Sequence, residues 1–123
     1  MLELLVYLSI ATTDQGCLLR QILIEAENQP IAGKAMVAEV IRERSRRTGL
    51  GYCAIIDQPG QFGSRSLQPP PGAILSAIVA TAIKPTCSAV HFDVSSSRQG
   101  WAKNLPVACV VDGHVFYRNE KWK

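Results

Sequence analysis

The sequence predicts an α+β fold, with N-terminal helices followed by a small antiparallel sheet. Three observations point there. Apolar residues recur at helical spacing through the first two thirds, that spacing is lost in the last third, and Asp112-Gly113 separates two β-rich runs. The 123 residues amount to one domain, long enough to bury a core without staples. A hydrophobic share of 47% with 19% charged residues, and no low-complexity tract, places the chain among ordinary globular domains.

An N-terminal apolar segment, residues 1–13, is expected to precede a single domain over residues 14–123. Its opening run, Met1-Leu2-Glu3-Leu4-Leu5-Val6-Tyr7-Leu8-Ser9-Ile10, is far too short to span a bilayer. It lacks the basic start and small-residue cleavage site of a secretory signal. A docked terminal helix is expected, with synthesis in the cytoplasm and no stable membrane insertion. Asp14 to Glu27 then reads as a helix, since Leu18, Leu19, Ile22, Leu23 and Ala26 share a face and Thr13 or Asp14 can cap it. Asn28-Gln29-Pro30 breaks it.

The second helix is expected from about Ile31 to Arg46, with Ala35, Met36, Val37, Val40, Ile41 and Arg44 near one face. Glu39, Arg42, Glu43 and Arg46 are expected to face outward, and Gly33 permits a close backbone approach. Thr48 to Tyr52 ends this helix, Cys53 to Ile56 is a short apolar run, and Gln58 to Ser66 is a polar loop. Pro69-Pro70-Pro71 stiffens the chain before a third helix over Gly72 to Ile83, which Pro85 stops. Ala89 to Asp93 reads as a strand and Ser95 to Gly100 as a loop. Val107 to Val111 and His114 to Arg118 flank the Asp-Gly pair as a hairpin.

The formal charge of +3 suits an anionic partner only mildly. Arg42, Arg44, Arg46 and Arg47 cluster around Glu43, a pattern expected of a solvated helix end rather than a nucleic-acid face. Cys17, Cys53, Cys87 and Cys109 form no C-x-x-C pair, so a structural zinc site is not expected. Four cysteines allow three full pairings, and apolar neighbours make buried free thiols the expectation.

On residue type alone, a glutamate at a helix end is ordinarily a surface charge. Glu25 differs in lying among Leu23, Ile24 and Ala26, where partial desolvation would favour the protonated form that a general acid needs. The motif around it adds more. Leu23-Ile24-Glu25-Ala26-Glu27-Asn28-Gln29-Pro30, followed by Gly33, Val37-Ala38, Val40-Ile41 and Arg44, resembles the opening of the spore cortex-lytic enzyme family of cell-wall hydrolases. Tyr52-Cys53-Ala54-Ile55-Ile56-Asp57-Gln58-Pro59-Gly60-Gln61-Phe62 is similar to that family's Cys-x-Val-Ile-x-Gln-Pro-Gly-Gln-Phe stretch. Ala89-Val90-His91-Phe92, Trp101-Ala102 and Gly113 to Tyr117 resemble its closing section. Three blocks in order, from about Cys17 to Arg118, make the resemblance specific.

The resemblance implies a compact lysozyme-like or lytic-transglycosylase-like domain with Glu25 as its catalytic acid. It implies cleavage of the bond between N-acetylmuramic acid and N-acetylglucosamine in peptidoglycan glycan strands. One Glu suffices for a lytic transglycosylase, whereas ordinary glycosidases use two carboxylates. The hydroxyl that the family carries after the second helix's Arg falls on Ser45. Gln61 is a candidate hydrogen-bonding partner for an acetamido group, and Phe62 and Trp101 are candidate stacking faces or core residues. His91 is a candidate sugar contact or a hydrogen-bonded core histidine. His114 is expected to be structural, and Glu27 is the reserve acid.

Rival chemistries are a muramidase, a zinc amidase and a cysteine peptidase. An amidase needs about three ligands, but only His91 and His114, helped by Asp93, Asp112 or Cys109, are present. A peptidase pairing Cys53 or Cys87 with His91 has no supporting motif. A non-catalytic glycan-binding module is the remaining rival. No metal or cofactor is expected, nor is nucleic acid a partner, and the chain is expected to be monomeric. Without a wall-binding module or export signal, a phage or prophage lysis enzyme is favoured over a bacterial wall-remodelling or germination enzyme.

Overall fold

A computed structural model describes residues 13–63, 72–94 and 100–122. The expected docked helix before Thr13, the Pro69-Pro70-Pro71 stiffener and most of the loops ending at Ser66 and Gly100 lie outside the described residues. Helix α1 spans Asp14–Ala26. Thr13 caps it, its Oγ1 accepting from the Gly16 N–H at 3.1 Å. Helix α2 spans Ile31–Thr48 and stops at Gly49, whose φ of 75° and N–H bond to the Ser45 carbonyl form a left-handed C-cap. The apolar run after it folds as a short helix, α3, over Tyr52–Ile56.

Helix α4 covers Ala73–Ala80, shorter than the expected reach to Ile83. Its end tightens into three-residue turns, with Ala82 N–H on Val79 O at 2.9 Å, and Arg42 Nη2 donates to the Thr81 carbonyl at 2.8 Å. Strand β1 runs over His91–Val94, slightly later than Ala89–Asp93. A 3₁₀ turn at Gly100–Ala102 leads to β2, Val107–Val111, and β3, His114–Tyr117. The sheet order is β1-β3-β2, both pairs antiparallel, with an irregularity between Val107 and Cys109. Asp112 (φ 49°) and Gly113 (φ 84°) form the expected two-residue hairpin turn.

Helix α2 is the shared wall of two apolar clusters. Val37, Ala38 and Ile41 pack with Leu18, Leu19, Ile22 and Leu23 of α1, Ile55 of α3 and Ile74 and Ala77 of α4. Met36 and Val40 pack with Ala89, Val111 and Phe116 on the sheet side. A helix covered on both sides buries nearly everything from Gly33 to Ile41. That overturns the outward placement of Glu39, which is 6% exposed and paired with Arg46 Nη2 at 3.0 Å. Nor is the arginine cluster a uniformly solvated helix end. Arg46 is exposed, Arg42 is half-buried on Thr81, and Arg44 is buried. The close neighbours of Gly33 are side chains rather than another backbone, since a Cβ there would lie 3.1 Å from Gln29 Cβ and 3.2 Å from Asp112 Oδ2 of the hairpin turn.

The cysteines correct a second expectation, because they are not free thiols. Cys17 is bonded to Cys53, tying α1 to α3, and Cys87 to Cys109, tying the segment before β1 to β2. The pairing was not readable from spacing because the partners lie 36 and 22 residues apart and meet only through helix and sheet packing. Closing loops of these lengths is worth about 3–4 kcal/mol each through the unfolded chain's lost entropy. Reduction with dithiothreitol should therefore lower Tm by roughly 10 °C or more. Circular dichroism melts with thiols counted before and after would read this, and an unchanged Tm on full reduction would argue against both bridges.

Candidate active site

A cleft of about 630 Å³ opens between the helical layer and the sheet. Glu25, near the end of α1, lines it together with Gly60, Gln61 and Gly63 from the loop after α3. His91, Phe92, Asp93 and Val94 of β1 line it across from them, with Trp101, Leu105 and His114, then Asn119 and Trp122 near the C-terminus. Arg44 contributes from α2.

Glu25 is half-buried. Its Oε1 accepts from Gln21 Nε2 at 3.0 Å and from the Gly63 N–H at 2.7 Å. Oε2 takes no hydrogen bond from the described residues. The end of α1 is itself held in place, because Lys34 Nζ donates to the carbonyls of Glu27 (3.0 Å) and Gln29 (2.6 Å). Cations are favoured at that pole of a helix. Lys34 is only 3% exposed, and desolvation lowers its pKa.

Arg44 is 3% exposed and has no carboxylate beside it among the described residues. Its Nε donates to Val90 O at 2.7 Å and Nη1 to Gln61 Oε1 at 3.2 Å, while Nη2 lies 3.1 Å from His91 Nδ1. The guanidinium carbon lies 4.9 Å from the Phe62 ring centroid and 4.8 Å from that of Trp122. Burial lowers the Arg44 pKa to about 10, which leaves it charged at neutral pH. Since a guanidinium only donates, His91 Nδ1 must accept and its proton sits on Nε2, which lies 3.2 Å from the Asn119 side-chain amide and donates to it once that amide turns its oxygen toward the ring. Burial, then the charges of Arg44 and Arg47, lower the His91 pKa to about 4, so the ring is neutral in the folded protein. Arg47 Nη1 donates to the carbonyls of Asn119 (2.6 Å) and Trp122 (3.3 Å), which fastens the C-terminal segment to α2.

The structure brings Glu25, Gln61, His91 and Trp101 to one cleft. Trp101 is 49% exposed, its ring 5.3 Å from His91 and 5.8 Å from Tyr117. Phe62 and Ser45 are not among the cleft-lining residues. Phe62 instead packs against Arg44 and Phe92, and the Ser45 hydroxyl donates to Leu50 O at 2.6 Å, bracing the turn after α2. Glu27 and Asp57 also stay outside. His114 is buried edge-on to Phe92 at 5.7 Å and still borders the cleft. The sequence offered no site role for Gln21, Gly63, Asn119 or Trp122, and offered Asp93 only as a helper ligand in the rival amidase. For Gln21 a signal was available, since four residues before Glu25 is one helical turn.

All four cysteines are in disulfides, which leaves no described thiol for nucleophilic attack. Among the described residues no three His, Cys, Asp or Glu side chains come together as a metal-binding group. No described helix is long and apolar enough to cross a membrane.

No protein-family model matches the chain, and no curated protein matches it by sequence. Solved structures do. One is the catalytic domain of the Bacillus cereus SleB protein, 21% identical, with a TM-score of 0.68 over 85% of this chain and 89% of that one. Another is the catalytic domain of the germination-specific lytic transglycosylase SleB from Bacillus anthracis, also 21% identical, with a TM-score of 0.71 over 87% and 95%. The chain has the fold of these domains, as the resemblance implied.

Two stability outcomes follow from the site. Arg44→Met should cost about 2–4 kcal/mol, because Val90 O, Gln61 Oε1 and His91 Nδ1 lose their donor together. Urea unfolding reads this, and a cost near zero would show that water replaces the guanidinium. His91 charges in the unfolded chain near pH 6.5 but in the fold only near 4. Its contribution is thus complete above pH 6.5 and lost as pH falls toward 4. His91→Asn should flatten the stability–pH curve in that window, and an unchanged slope would assign it to other groups.

Proposed function

We propose that this protein is a peptidoglycan-lytic enzyme that cleaves the β-1,4 bond between N-acetylmuramic acid and N-acetylglucosamine, with Glu25 as the acid. The observation that carries the reading is the asymmetric seat of the Glu25 carboxyl. Oε1 is held by two N–H donors, while Oε2 takes none from the described residues, and Glu25 lines a cleft sized for sugars. The fold shared with the SleB catalytic domains supports it.

Because Oε1 accepts two hydrogen bonds, the acid's proton belongs on Oε2. Oε2 gives that proton to the bridging oxygen as the bond from muramic C1 to that oxygen breaks. Positive charge develops at C1 and the ring oxygen, and the new carboxylate stabilises it. The carboxylate then takes the proton of the muramic 6-hydroxyl as O6 bonds to C1. The products are a 1,6-anhydromuramoyl end and a free N-acetylglucosamine 4-hydroxyl, with Glu25 reprotonated. The exposed Trp101 face offers a stacking platform, and Gln61 and His91 are cleft-lining polar side chains for acetamido and hydroxyl groups. Glu25 performs both proton transfers, so the reaction needs no cofactor, and the enzyme works as a monomer.

A muramidase is the second reading, favoured by Asp93. This carboxylate shares the cleft and, with its Oδ1 accepting from the Val94 N–H at 2.8 Å, could orient a water. In either case the enzyme acts at the bacterial wall, as a phage or prophage lysis enzyme before a germination enzyme. Two disulfides suit that oxidising side of the membrane.

Mass spectrometry of fragments released from purified peptidoglycan tests this. Wild-type protein should release anhydro-muropeptides, and Glu25→Gln should slow release about 100- to 10,000-fold. Reducing-end muropeptides, lost again in Asp93→Asn, would establish the muramidase. Free stem peptides, or full activity in Glu25→Gln, would defeat glycan cleavage by Glu25.

A further inference from the structure

We infer that Gln21 is a positioning residue for the acid: its side-chain amide selects which Glu25 oxygen carries the catalytic proton. The inference rests on the reading of Glu25 as the acid. Gln21 lies one turn before Glu25 on α1 and is 2% exposed, although glutamine is ordinarily a surface residue. Its Nε2 donates to Glu25 Oε1 at 3.0 Å and to the Gly63 carbonyl at 2.9 Å. The Gly63 N–H returns to the same Oε1 at 2.7 Å. Both amide hydrogens are thereby used, and Gln21, Gly63 and Oε1 form a closed ring of three bonds.

The ring leaves no room for a proton on Oε1, because that oxygen already faces two N–H groups. It also stops the carboxyl from rotating to exchange its oxygens. Gly63 is the residue that permits so close an approach, since a Cβ there would lie 2.9 Å from Oε1. A purely structural Gln21 would tie the loop after α3 to α1 through the Gly63 carbonyl and need no bond to the carboxylate. The bond to Oε1 is what makes it a partner of the acid.

Gln21→Met tests this, keeping the side chain's length and removing its donors. The folded variant should lose roughly ten- to hundredfold in kcat with little change in KM. The alkaline limb of its pH–rate profile should move up, because a carboxylate that loses an N–H donor holds its proton to higher pH. Carbon-13 NMR of carboxyl-labelled glutamate should show the Glu25 titration moving the same way, a readout that requires no turnover. A folded Gln21→Met with wild-type kcat, pH limb and Glu25 titration would overturn the inference, and so would a drop in Tm alone. Should Gln21→Met fail to fold, Gly63→Ala disturbs the same oxygen from an exposed loop and should show the same kcat loss, full activity there overturning the inference. Full activity in Glu25→Gln would instead defeat the acid reading, while the NMR titration still reports whether Gln21 governs the carboxyl.

Discussion

A buried, unneutralised guanidinium is the constraint on which much of this molecule depends. Arg44 sits on the central helix with no carboxylate beside it among the described residues, so its desolvation must be offset by hydrogen bonds and aromatic faces. Those partners come from three places: the Gln61-Phe62 loop, the Val90-His91 start of β1, and Trp122 near the C-terminus. One side chain therefore fixes the helical layer, the sheet and the terminal segment relative to one another. The cleft lies where these three meet, and its shape follows from satisfying one buried cation. His91 is drawn into the same requirement, since accepting from Arg44 sets its tautomer, and burial together with the Arg44 charge keeps it neutral.

The Glu25 carboxyl is positioned by a separate set of bonds that converge on the end of α1. Lys34 occupies the carbonyls just beyond the helix, so the last turn does not fray into the cleft. Gln21 and the Gly63 N–H then hold one carboxyl oxygen of Glu25. Backbone, side chain and loop act in sequence here, and only the last contact depends on the loop after α3. The Cys17–Cys53 bridge draws α3 onto α1 and thereby limits where that loop begins. The Cys87–Cys109 bridge does the same for β1, by anchoring the segment before it to β2.

Helix α2 explains why some positions defeat reading by amphipathic pattern. A helix at the edge of a core has one apolar face, and polar residues mark the other. Helix α2 has cores on two sides, so Glu39, Lys34 and Arg44 are buried as well and satisfy their charges on Arg46, on carbonyls and on aromatic faces. The distinction between a solvated and a buried charge lay in what covered the helix, and nothing local in the sequence encodes that.

The sequence by itself determined most of the elements and their order, although not that Tyr52–Ile56 folds as a helix. Apolar spacing placed α1 and α2 to within a residue or two, and Asp112-Gly113 fixed the hairpin, because these depend on local backbone preference and periodicity. The motif around Glu25 singled out a residue that the fold places in the cleft. Tertiary structure decided what depends on contacts between distant segments. It paired the cysteines, buried Glu39 and Arg44, and brought Asp93, Asn119 and Trp122 to the cleft. It also turned Phe62 toward Arg44 and Ser45 toward Leu50 rather than into the cleft. Side chains far apart in the chain meet only when layers pack, and a buried charge must then find whatever donors and acceptors that packing supplies.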